Sequence, residues 1–225
     1  MSYGALIYWT IGKGVIATAT RLLVDLKGYG IERIPREGGA VLAMNHLSYL
    51  DPPAFGTLCP RRIVFVAKIE LFENRWLGQL IASHGTISVR RGESDRDALR
   101  RMRETVRRNE LLGLFVEGTR QRAGEPGRVQ AGAAMISIQE GVPIVPAAIY
   151  GSNLWRLGKV APVSIACGEP MRFDELPRNG RGYREASAEI ETEIRRLWDF
   201  LAAMHALARP DGVPPRRARV PAKTG

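Results

Sequence analysis

Cysteine and histidine are scarce in this chain, with two of the first and three of the second among 225 residues. Cys59 and Cys167 make neither a disulfide framework nor a four-cysteine zinc site. They read as partly buried free thiols of a reducing compartment. No cluster of metal-ligating residue types occurs, so no metal is expected. A long unbroken apolar run is missing too. Gly4–Leu26 is rich in Ala, Ile, Leu and Val, but Gly12, Lys13, Gly14 and Arg21 interrupt it, whereas a spanning helix needs about 20 predominantly apolar residues. No Lys or Arg precedes the run, which argues against a signal peptide even though Ala17-Thr18-Ala19 imitates a cleavage site. Internal repeats are absent, and so are zinc-finger, RNA-recognition and homeodomain patterns.

What is present is a basic chain of ordinary globular make-up. Hydrophobic residues are 45% and charged residues 25%, with a net charge of +10. The excess of one sign points to an anionic partner: nucleic acid, an anionic membrane or a phosphorylated substrate. Tyr3, Tyr8 and Trp9 are residue types that favour a membrane–water interface. Residues 1–27 therefore read as an amphipathic or partly inserted helix lying on a membrane, the alternative being a helix packed on the domain's own core.

Short apolar runs bounded by turn residues follow: Ala40–Met44, Arg62–Ala67, Thr86–Val89, Leu111–Val116, Val142–Tyr150 and Val163–Cys167. Each reads as a buried strand. Helical patterns separate them at Glu73–Ser83, Asp95–Arg108 and Gln130–Glu140, and a long helix from Tyr183 to about Ala208 follows the last strand. In Asp95–Arg108 the stripe Ala98, Leu99, Met102 and Val106 is apolar and arginines hold most of the rest. Ser94 or Asp95 caps its start. Gly141 is a C-terminal cap. Strands alternating with helices predict an α/β class: one domain over 28–208 with a mixed, largely parallel sheet flanked by helices. Residues 209–225, rich in Pro and Arg, are expected to be a disordered basic tail.

Two strand ends carry candidate chemistry. Asn45-His46-Leu47-Ser48-Tyr49-Leu50-Asp51 follows Ala40–Met44 directly, and ligands bind outside the carboxyl ends of strands in open α/β sheets. An aspartate on one imidazole nitrogen fixes the tautomer and leaves the other nitrogen as a general base. Ser48 raises a hydrolase alternative, against which stands the lack of a Gly-x-Ser-x-Gly elbow. The second strand end is Phe115-Val116-Glu117-Gly118-Thr119-Arg120, where the guanidinium suits a phosphate. Its bland reading is a surface turn.

Taken together, Asn-His-x-x-x-x-Asp at residue 45 and Phe-Val-Glu-Gly-Thr-Arg at residue 115 resemble the glycerolipid acyltransferase family, the lysophosphatidic acid acyltransferases and their relatives. The resemblance runs from about Gly28 to Pro170. Gly85-Thr86-Ile87-Ser88-Val89-Arg90-Arg91 looks like the family's second block, and Val142–Ala148 like its fourth. The resemblance implies His46 as general base oriented by Asp51, with Arg91 on the phosphate and Glu117, Gly118, Thr119 and Arg120 on the acceptor. Lys68 stands where relatives often carry a basic residue. The implied reaction moves a fatty acyl group from acyl-CoA or acyl carrier protein to lysophosphatidate, without a covalent enzyme intermediate and without a cofactor. Glycerol-3-phosphate, another lysophospholipid and a glycolipid are the alternative acceptors.

The chain departs from the pattern at Val116, where many relatives have Pro, and at Gln130-Ala131-Gly132, where many have a basic residue before the glycine. Arg128 is the nearest substitute. The expected location is the cytoplasmic face of the cell membrane, peripheral or monotopic, against an anionic surface and without nucleic acid. His84, His205, Trp76, Trp155 and Trp198 read as structural residues.

Overall fold

The computed structural model describes residues 3–90, 95–121, 123–156 and 158–216, and the side chains of 3–12, 76 and 77 lie outside the description. Its centre is a strand with almost no room for anything but apolar side chains. β2 (Ala40–Met44) is buried at every position, because it runs between β5 (Leu111–Phe115) and β6 (Ile144–Tyr150), parallel to both. Strands covered on both faces read as continuous apolar runs rather than alternating ones, and AVLAM, LLGLF and IVPAAIY all have that character.

Among the described residues the sheet has seven strands in the order β1-β7-β6-β2-β5-β3-β4. β3 (Ile63–Lys68) pairs in parallel with β5 and with the short edge strand β4 (Ile87–Val89). β6 meets β7 (Ala161–Cys167) antiparallel, and β7 meets β1 (Val24–Tyr29) in parallel. The sheet is therefore mixed and largely parallel, as expected. β1 is the element the sequence reading missed. Residues 24–27 had been joined to the N-terminal segment, but Val24 and Tyr29 are buried and the strand edges the sheet.

Side chains alternate between two covered faces. Val41, Ala43, Val64 and Leu112 point toward α4 (Arg96–Arg107), α5 (Gly132–Glu140) and α6 (Gly180–Ala206). Leu42, Met44, Ile63 and Leu111 point to the face occupied by Ala54 and Phe55 of α2 (Asp51–Leu58). α4 begins on Asp95, whose side chain accepts from Ala98 N–H. Its arginines are less free than a solvated face implies: Arg103 and Arg107 both pair with Glu140 of α5, and Arg100 pairs with Asp97 and Glu104. α5 ends on Gly141 at φ 65°, a left-handed conformation that costs glycine nothing.

α1 (Tyr3–Leu23) packs against α2 through Ala17 and Thr20 and leaves Val15, Leu22 and Leu23 exposed. Lys13 donates to the Cys59 carbonyl at 2.9 Å, and Trp155 donates to the Leu23 carbonyl at 3.1 Å. No helix among the described residues is long and apolar enough to cross a membrane. α3 (Arg75–Ser83) packs on the turn Ile69–Phe72 that follows β3.

The expected disordered tail is corrected for residues 209–216. Tyr29 donates its hydroxyl to the Pro210 carbonyl at 3.1 Å, Lys27 pairs with Asp211 at 2.9 Å, and Arg33 donates to the Pro214 carbonyl at 2.7 Å. The segment buries little apolar surface, but its carbonyls meet cationic and hydroxyl donors along β1. Residues 217–225 lie outside the described residues.

Candidate active site

β2 delivers its chain end to a fixed point. Asn45 is fully buried, and its amide replaces the next step of the sheet ladder: Oδ1 accepts from Ile149 N–H at 2.7 Å and Nδ2 donates to the Ile149 carbonyl at 3.2 Å. His46 follows at once, at the carboxyl edge of the sheet. Its imidazole stacks on Phe115 of β5 with centroids 4.0 Å apart and planes 22° apart. Phe115 in turn stacks on Phe65 of β3 at 6.0 Å and 9°. Gly113 makes room for this row, since a Cβ there would stand 2.4 Å from Ile63 Cγ2 and 3.1 Å from a ring carbon of Phe65.

Residues 47–50 turn so that Asp51 comes back under His46. Asp51 Oδ2 lies 2.7 Å from His46 Nδ1 and also accepts from Leu47 N–H at 2.6 Å and Ser48 N–H at 2.8 Å. Asp51 is the first residue of α2, where the helix dipole favours a carboxylate, and Pro52 and Pro53 fit a first turn whose N–H groups have no partner in the helix. The spacing His-x-x-x-x-Asp is thus the length of chain needed to reverse direction and present a helix start to the imidazole. An ionised carboxylate only accepts, so Nδ1 carries the proton and Nε2 is left as a basic nitrogen.

Ser152 was not foreseen. It is 1% exposed and donates its hydroxyl to Asp51 Oδ1 at 2.6 Å. It reaches Asp51 because Gly151, at φ 87°, turns the chain sharply after β6. A Gly-Ser pair after an apolar strand is too common a turn to have announced it. Ser48 is the opposite case. Its Oγ accepts from Leu50 N–H at 3.3 Å and makes no hydrogen bond to His46 among the described residues. The turn uses Ser48 as a structural group, which removes the support for a serine nucleophile.

The second strand end comes to the same place. Glu117 is 6% exposed, with Oε2 accepting from His46 N–H at 2.8 Å and Oε1 from Gly127 N–H at 2.7 Å. Burial pushes its carboxyl up to about 7; the two backbone donors oppose this and the charge of Asp51 adds to it. Gly118 turns at φ 75°, and Thr119 is exposed. The Arg120 guanidinium lies over the Tyr49 ring at 3.7 Å and pairs with no carboxylate among the described residues. Lys68 pairs with Glu70 at 3.5 Å, both half-exposed, a pair of small energetic weight. Arg91 lies outside the described residues.

A cavity of about 530 Å³ is lined by Phe115, the ring on which the imidazole stacks. Tyr49, Pro52, Phe65, Ala67, Arg62 and His84 also line it. Its lining is overwhelmingly apolar. His84 Nδ1 donates to the Leu80 carbonyl at 2.8 Å, and His205 contacts Ser164 at 3.0 Å. Both do structural work, as do Trp155 and Trp198 in the apolar clusters.

Ser152→Ala leaves a buried carboxylate oxygen without its donor. It is expected to lower stability by about 1–3 kcal/mol, read by urea unfolding. It should also shift the His46 imidazole nitrogen resonances, which a change confined to packing would leave in place.

The chain is 29% identical to the 1-acyl-sn-glycerol-3-phosphate acyltransferase of Bacillus subtilis, over 73% of this chain and 86% of that one. It is 26% identical to the protein of the same name in Streptococcus pneumoniae, over 92% and 80%. The crystal structure of the 1-acyl-sn-glycerophosphate acyltransferase of Thermotoga maritima matches the fold with a TM-score of 0.72 at 24% identity, covering 86% of this chain and 79% of that one. Residues 25–150, which hold both strand ends, match the family model described as Acyltransferase, and the chain belongs to that family.

Proposed function

We propose that this acyltransferase moves a fatty acyl group from acyl-CoA or acyl carrier protein to the hydroxyl of lysophosphatidate, forming phosphatidate, with His46 as general base. The observation that carries the reading is the 2.7 Å contact of His46 Nδ1 with buried Asp51 beside an apolar cavity. Relatives named for this acceptor support it. His46 Nε2 takes the hydroxyl proton as the oxygen attacks the thioester carbonyl. The tetrahedral adduct collapses, the carbon–sulfur bond breaks, and the imidazolium returns its proton to the leaving thiolate. Asp51 supports the imidazolium in between. Arg120, which pairs with no carboxylate among the described residues, presents its guanidinium for the acceptor phosphate, and the basic chain favours a phosphorylated acceptor over a glycolipid.

The cavity suits the donor's chain. Arg62, just before β3, and Ile63, Phe65, Val66 and Ala67 of β3 line it, a stretch of about 16 Å at ~3.3 Å per residue. At roughly 1.5 Å per carbon–carbon bond, that length takes on the order of a dozen methylenes. Lys13 and Ile16 of α1 border it, next to exposed Val15. This supports α1 lying on a bilayer, from which a lipid chain passes to the site, with the protein peripheral or monotopic on the cytoplasmic face.

Thiol release from oleoyl-CoA should require lysophosphatidate and fall by about 10²-fold or more in His46→Ala. Release that persists in the folded variant refutes the base, and release that responds only to glycerol-3-phosphate or a glycolipid refutes the acceptor. Anionic vesicles should co-sediment the protein, and Leu22→Glu should weaken that binding; equal sedimentation of both proteins argues against the α1 contact. Ile81→Phe, which fills the cavity wall, should cut kcat/KM for oleoyl-CoA about tenfold relative to lauroyl-CoA. An unchanged ratio would mean the donor chain lies elsewhere.

A further inference from the structure

The backbone of His46 is held from both sides by the segment that follows β5. Its N–H donates to Glu117 Oε2 at 2.8 Å, and its carbonyl accepts from Gln121 N–H at 2.7 Å. The second oxygen of Glu117 accepts from Gly127 N–H at 2.7 Å. One carboxylate therefore joins the catalytic strand end to the far side of the loop 118–127. Glu117 is 6% exposed, both its oxygens already have donors, and its charge would repel a phosphate.

We propose that Glu117 is a positioning residue, a clasp that fixes the His46 backbone and closes the loop bearing Arg120, rather than a contact for the acceptor. The assignment rests on His46 being the base of the proposed reaction. A carboxylate is needed because it accepts through two oxygens at once. Glutamine has one acceptor oxygen, so its NH2 group faces one of the two amides. Aspartate is a methylene too short to keep both. Charge-assisted bonds to backbone N–H groups are the stronger kind, and burial is the opposing cost: it pushes the carboxyl up to about 7.

The test compares wild type, Glu117→Gln and Glu117→Asp in three measurements. The first is lysophosphatidate binding by calorimetry with no acyl donor present. The second is steady-state kcat. The third is amide hydrogen exchange by mass spectrometry. Both variants should lose kcat by about 10- to 100-fold, the scale of a misplaced catalytic group. Acceptor Kd should rise by less than kcat falls, since the phosphate contact is Arg120 rather than Glu117. Exchange should accelerate in peptides covering 44–49 and 121–129 while α6 stays protected, which shows that the fold persists. A Kd raised about tenfold or more with kcat and exchange preserved would make Glu117 an acceptor contact and overturn the proposal. Unchanged exchange at both peptides would overturn it as well. If wild type binds no lysophosphatidate, the acceptor reading fails, and the exchange result still decides the clasp.

Discussion

Asp51 receives hydrogen bonds from His46, Leu47, Ser48 and Ser152 while having no exposed surface at all. An ionised carboxylate in such a place is costly unless its lone pairs are filled, and the surrounding chain is shaped by filling them. The turn 47–50 curls to aim two amides at one oxygen. α2 starts where its dipole meets the charge. The chain leaving β6 bends at Gly151 to bring a hydroxyl to the other oxygen. The imidazole then takes the remaining place on Oδ2, and its orientation follows from the demands of the carboxylate.

The sheet supplies the rigidity behind this arrangement. β2 is parallel to both of its neighbours, so its carboxyl end opens where β5 and β6 also end. Each neighbour contributes to the same few ångströms: β6 through Ile149 and Ser152, β5 through Phe115 and Glu117. Sites built on strand ends hold their geometry better than sites built on loops alone. The polar groups of this site are mostly backbone N–H groups with fixed positions, which favours a preorganised imidazole over one that must be ordered by the substrate.

Much of this was legible in the residues. Apolar runs bounded by turn signals located β2 through β7, because a strand buried on both faces has no other composition available to it. His46 and Asp51 were legible as a pair because few other uses require a histidine and an aspartate just beyond such a run. β1 was not legible. Val24-Asp25-Leu26-Lys27-Gly28-Tyr29 alternates weakly and continues an apolar helix without a breaker, and only pairing with β7 makes it a strand. Ser152 and the Asn45–Ile149 bridge were hidden for another reason. Both join residues about a hundred positions apart, and spacing along one chain carries no sign of such contacts. For Glu117 the residue was visible and its geometry was not, since nothing in Phe-Val-Glu-Gly-Thr-Arg says which way the carboxylate turns.

The row of rings His46, Phe115 and Phe65 lies over the space left by Gly113. Phe115 is at once the surface on which the imidazole rests and a wall of the long cavity. A change in cavity shape at this position and a change in the support of the imidazole therefore act on the same ring. On the proposed function, a lineage that reshapes one must compensate in the other, so changes of chain preference are easiest at lining positions other than Phe115.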